Sequence, residues 1–121
     1  MIIRSPFNRP FGVFGIIGLP SAIYDLPSET VYRRSHVVHE MTHINRQGNF
    51  VQCLVWIIKY FASKAFRREE ETASFTIQLA MLVKAGLVEK VEIIKRGMLS
   101  GYWGAFTKQD IDFILEKVNR G

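Results

Sequence analysis

Two histidines four positions apart, with a glutamate directly after the first, constrain this chain more than any other feature: His39-Glu40-Met41-Thr42-His43. On an α-helix, positions i and i+4 share one face, roughly 5–6 Å apart at Cβ, so two imidazoles there can reach a single ion. The glutamate is rotated about 100° from the first histidine. It can touch a water held at that ion without taking a ligand position. The pattern therefore asks for a helix, and its surroundings supply one. Ser28-Glu29-Thr30 or Ser35 offers a start and Gly48 a stop, which gives a helix over about 36–47 carrying all three histidines.

The remaining punctuation predicts an α+β chain that is mostly α. Residues 1–27 hold the β-compatible signal, with Phe11–Ile17 and Ala22–Tyr24 read as two short strands or extended segments around Gly18 and Pro20. Asn49 opens an apolar stretch, Phe50–Phe66, expected as a largely buried helix behind the histidine helix. Glu69–Ala85 follows as a helix with three acidic residues in its first turn and Gly86 as its stop. Leu87–Leu99 reads as another helix, Ser100–Ala105 as a turn, and Thr107 caps a last amphipathic helix to about Asn119. At 121 residues the whole chain, 1–121, is expected to be one domain.

Composition excludes several classes. Hydrophobic residues at 48% and charged ones at 22% describe a globular chain, not a disordered one. The longest apolar runs fall short of the roughly 20 residues of a membrane-spanning helix. Pro6, Pro10, Gly12, Gly15 and Gly18 break what would be the apolar core of a signal peptide. The lone Cys53 is expected as a small buried hydrophobe in a reducing compartment. The net charge of +5 is spread over isolated pairs, Arg33-Arg34, Arg67-Arg68 and Lys95-Arg96, which read as solvated surface without a specific nucleic-acid site. A cytoplasmic setting is expected, or a virion-associated one if the chain is a subunit of a larger particle.

Catalytic zinc usually takes three protein ligands and keeps a fourth place for water. His36 stands about 10 Å along the helix axis from His43, so it is expected beside the site or in solvent. The third ligand is then acidic, from Glu69-Glu70-Glu71. With Thr72, Phe75, Leu79 and Val83 on the inward arc, Glu69 falls inside it, Glu70 at one margin and Glu71 at the other. A carboxylate pointing into an apolar face needs a partner, and zinc is one. Glu69 is thus the expected ligand, with Glu70 as its alternative.

HEMTH followed by EEETASFTIQLAMLVKAG resembles the gluzincin-type zincin metallopeptidases, over about residues 30–86. LSGYWGAFT is similar to the tail of small, mostly uncharacterised zincin-like proteins of bacteria and phages. The resemblance implies a minimal zincin-like domain: a short N-terminal β segment, the HExxH helix and about four further helices. It implies Zn2+ held by His39, His43 and Glu69, with Glu40 as general base of peptide-bond hydrolysis, a peptide or protein as substrate, and an edge strand around Ser21–Tyr24 to hold it. Thr72 and Arg46 depart from the family's usual alanine and glutamine. Tyr60 and Tyr102 are both candidates for stabilising the oxyanion. A non-catalytic alternative is a zinc-stabilised structural or binding subunit of a larger assembly such as a phage particle, with a protein as its assembly partner. A DNA-associated reading, by likeness to SprT-like zincins, lacks their downstream third histidine, since none follows His43.

Overall fold

The computed structural model describes residues 1–120. These form a small sheet followed by helices, an α+β architecture that is mostly α. The sheet has strands β1 (Ile2–Arg4), β2 (Phe11–Val13) and β3 (Ile16–Leu19) in the order β1-β3-β2. β1 runs parallel to β3 and β2 antiparallel to it. The hairpin between β2 and β3 turns at Phe14-Gly15, both at positive φ, the backbone that a tight two-residue connection requires. Within the pair, Phe11 faces Gly18, whose missing side chain leaves room for the ring.

Ala22–Tyr24, expected as extended, is instead part of a one-turn helix, α1 (Ser21–Tyr24), so it provides no edge strand for a substrate. Pro20 in extended backbone ends β3 and starts this turn. Six α-helices are present among the described residues, the others being α2 (Val31–Gln47), α3 (Phe50–Ala62), α4 (Lys64–Lys84), α5 (Val88–Ser100) and α6 (Lys108–Arg120). Gly48 ends α2 at φ 75°, as its place in the sequence predicts. The start differs: α2 begins at Val31, and Ser35 lies inside it with Oγ donating to the Tyr32 carbonyl at 2.7 Å. Asn49 caps α3 through a reciprocal pair with Gln52. Thr107 and Asp110 do the same for α6.

Phe50–Phe66 is not one helix. Ser63 adopts extended backbone and caps α4 by accepting from the Phe66 amide at 3.1 Å, so α4 begins at Lys64 and the three glutamates lie beyond its first turn. Nor is α3 largely buried: only Cys53 and Trp56 are enclosed, while Phe50, Val51, Leu54, Val55, Ile58 and Phe61 are exposed. Phe14 and Trp103 pack against the two ends of this apolar face, on Phe50 and Phe61. No helix of the described residues is long and apolar enough to cross a membrane.

The core is a contiguous cluster in which Leu19 of the sheet, Leu79 and Leu82 of α4, Met98 of α5 and Ile111 of α6 are almost fully enclosed. α4 is the central element, packed on α2, α3, α5 and α6. Its most extensive contact is with α2, and the candidate site lies between these two helices.

Candidate metal centre

His39 and His43 project from α2 toward α4 and are buried, as is Glu40 between them. The imidazole rings lie 5.0 Å apart, as the helical spacing dictates. The ligand atoms of His39, Glu40 and His43 all lie within 4.8 Å of one another, and this buried group could hold a metal ion.

The carboxylate that meets the histidines is Glu71. Its Oε1 is 2.9 Å from Nε2 of His39 and 3.0 Å from Nε2 of His43, so the two rings converge on one oxygen. Tyr60 of α3 donates to the other oxygen, Oε2, at 2.5 Å. Glu69, the residue expected here, has its side chain 71% exposed, with a carboxylate oxygen 3.9 Å from Arg46. Two residues along a helix amount to about 200° of rotation, so Glu69 and Glu71 face nearly opposite ways. Glu70 is buried but turned aside: it accepts from Arg46 Nε at 2.7 Å and from Trp56 Nε1 at 2.5 Å.

The reason lies in the inward face of α4, which is more polar than an apolar wheel allows. Arg67, Glu71, Ser74 and Gln78 are buried alongside Phe75, Leu79 and Leu82. Ser74 Oγ sits 3.3 Å from Nδ1 of His43, a contact that orients the ring with Nε2 toward Glu71. Gln78 donates to Ser35 Oγ at 3.4 Å. Nδ1 of His39 is buried without a hydrogen-bond partner of good geometry, although Gln78 lies close enough to favour the charged ring.

Arg67, expected in solvent, is buried and acts as a strut. Nη1 donates to the Tyr60 carbonyl at 2.7 Å and Nε to the Tyr102 carbonyl at 3.2 Å, while the guanidinium lies over Trp103 at 4.6 Å. Tyr102 and Trp103 both adopt positive φ, a conformation that costs an aromatic residue energy and has to be held by its surroundings. Arg67 ties this strained pair to the helix that carries Glu71.

Electrostatics follow from the crowding. Burial disfavours the Glu71 carboxylate, yet hydrogen bonds from His39 and His43 outweigh it and hold Glu71 well below the usual range. Burial likewise opposes a charged His39, but the bond to Glu71 and the nearby Glu40 charge raise its pKa. For Glu40 burial wins over the attraction of the two histidines, and its carboxyl is raised. Burial and the charges of Glu71 and Glu40 also raise the phenols of Tyr60 and Tyr102.

On the sheet side, the site is closed by β2. Gln47 Nε2 donates to the Gly12 carbonyl at 2.7 Å, drawing the strand onto α2. A side chain at position 12 would lie 3.0 Å from Oε2 of Glu40 and 2.8 Å from its carbonyl oxygen. Sequence reading did not single out Gly12, Tyr60's bond to Glu71, Trp56, Arg67, Ser74 or Gln78 as site supports. Only the long-range pairing of helices brings them together. Comparison of the chain with family models, with curated proteins and with solved structures found no match in any of the three.

Proposed function

We propose that the protein is a zinc-dependent peptidase in which His39, His43 and Glu71 hold the ion and Glu40 is the general base. The observation that carries this reading is the convergence of two Nε2 atoms and one carboxylate oxygen at 2.9–3.0 Å beside a second buried carboxylate. Two imidazoles and one carboxylate are the donor set that catalytic zinc favours, with one place left over. The second nitrogen of His43 meets Ser74, as a ligand ring requires for its orientation. A zinc ion held there would supply Lewis acidity, activating water and polarising a carbonyl.

The chain's own residues do the rest. Glu40, with its carboxyl raised by burial, accepts the proton of the attacking water and passes it to the leaving amine. Tyr60 is committed to Glu71, so it holds that carboxylate in place. Tyr102 borders the cavity beside Glu40 and is the donor for charge developing on the substrate carbonyl oxygen.

A second reading rests on burial. His39, Glu40, His43 and Glu71 are each no more than 4% exposed, as suits an ion that only ties α2 to α4 in a structural or binding module. One experiment separates the two. Zinc stoichiometry and cleavage of a broad peptide mixture are measured for the parent and for Glu40→Gln. One zinc per chain in both, with cleavage only by the parent, supports the peptidase. Zinc in both and cleavage by neither supports the structural module, and no zinc in the parent removes both.

A further inference from the structure

A cavity of about 200 Å3 opens directly beside the cluster and shares His39 and Glu40 with it. Its other walls come from three helices and the strained turn: Tyr32 and His36 of α2, Phe75 of α4, Ile93 and Gly97 of α5, and Tyr102. A cavity of about 150 Å3 with apolar walls takes up benzene, so this one has room for a phenyl ring with a small substituent. Tyr32, Phe75 and Tyr102 give the walls aromatic faces against which a ring packs edge to face, beside Pro10, Ile94 and the polar Gln78. The His36 ring borders the space, packed edge-on against Tyr32, and its buried Nε2 has no hydrogen-bond partner.

Gly97 is the residue that the fold itself does not explain. Glycine within a helix is destabilising relative to alanine, and Gly97 lies in the last turn of α5. Its φ is not in the left-handed region, and a Cβ built there would have nothing within 4 Å. No turn and no close approach asks for a glycine at this position. Gly97 is exposed and borders the cavity, so a longer side chain at this position would have open space at the cavity's rim.

We propose that this cavity is a side-chain pocket for an aromatic residue, phenylalanine or tyrosine, flanking the bond to be cleaved, and that Gly97 keeps it open. The proposal rests on the peptidase reading for its substrate, but the pocket has a readout of its own.

Two measurements on the zinc-loaded protein test it. In a proteome-derived peptide mixture read by mass spectrometry, bonds flanked by Phe or Tyr should be cut preferentially by about tenfold or more. Gly97→Leu should abolish that preference and move cleavage to bonds flanked by Gly or Ala, with zinc content unchanged. Ile93→Ala, at a half-exposed wall position, should extend it to tryptophan and guards against a folding defect in the leucine variant. Separately, N-acetyl-phenylalaninamide is titrated while the NMR signals of His36, Ile93 and Gly97 are followed. Shifts in the parent that vanish in Gly97→Leu support the pocket even where no peptide is cleaved, in which case the peptidase reading alone fails. Absence of those shifts, or cleavage with no aromatic preference, overturns the pocket.

Discussion

Glu71 and His39 lie thirty-two positions apart in the chain, and their side chains meet at 2.9 Å between Oε1 and Nε2, at the oxygen on which His43 also converges. Glu71→Gln removes the anionic oxygen on which both histidines converge. Outer-shell changes typically weaken metal binding by about 10–100-fold, so loss of the ligand proposed here should cost roughly 100-fold or more. Tyr60→Phe, which deletes the donor to Oε2, should weaken zinc by about tenfold. Glu69→Gln should leave it unchanged, because that side chain is in solvent. Zinc competition against a chromophoric chelator ranks the three, and an effect at Glu69 equal to that at Glu71 would reverse the assignment.

Gly12 packs the sheet closely against Glu40, the general base proposed above. A methyl at this position would press on the carbonyl and side chain of Glu40 at 2.8–3.0 Å, and both contacts belong to a buried helix that cannot yield freely. Overpacking of this kind costs about 1–3 kcal/mol. A displacement of about 1 Å at a catalytic group costs roughly 100-fold in rate. Gly12→Ala should therefore retain zinc, lose about two orders of magnitude in kcat/KM for whichever peptide the parent cleaves, and melt at a lower temperature. Unchanged kinetics in the variant would show that Glu40 does not act in the step that limits the rate.

Much of the architecture is legible in local chemistry. The imidazole spacing, the Gly48 stop, the Asn49 cap and the Thr107 cap each act over a few residues, and each places an element end close to where it lies. The misreadings share one cause, that burial is decided by partners far away in the chain. On α4 the face turned to the site carries Ser74 and Gln78, so an apolar wheel points away from it and selects Glu69 in place of Glu71. On α3 the apolar content is high, but only Cys53 and Trp56 meet another element closely enough to be enclosed. The Ser63 break carries neither glycine nor proline, and Ala22–Tyr24 is too short for periodicity to separate a turn of helix from a strand.

The exposed face of α3 gives a prediction about stability. Ile58 is 67% and Phe61 64% exposed, so little is lost when they become polar. Ile58→Lys should change unfolding free energy by no more than about 0.5 kcal/mol, Phe61→Gln, which removes the ring packed on Trp103, should cost about 0.5–1.5 kcal/mol, and the pair should raise solubility. Trp56→Ala on the opposite side of the same helix should cost about 3–5 kcal/mol, because that ring is buried and its Nε1 donates to Glu70. Urea denaturation of the two variants compares them directly. A large loss from the paired surface substitutions would mean that this face is covered in solution.

His36 should shape the acid side of the stability profile. Burial, with the neighbouring charge of His39, pushes its imidazole down to about 4. In the unfolded chain the same group binds its proton near 6.5. Between those values the unfolded state holds more protons than the folded one, so stability rises with pH through this window. The contribution is fully present above about pH 6.5 and is lost as pH falls toward 4. His39 has the opposite sign, since its pKa is raised and its contribution is lost as pH rises. Comparing the parent with His36→Leu isolates the first effect. Under chelator, the drop in unfolding free energy from pH 7 to pH 4.5 should be larger in the parent by on the order of 2 kcal/mol. Identical drops in the two proteins, or an NMR titration that places the His36 midpoint above 6, would show that this ring is open to water in the folded state.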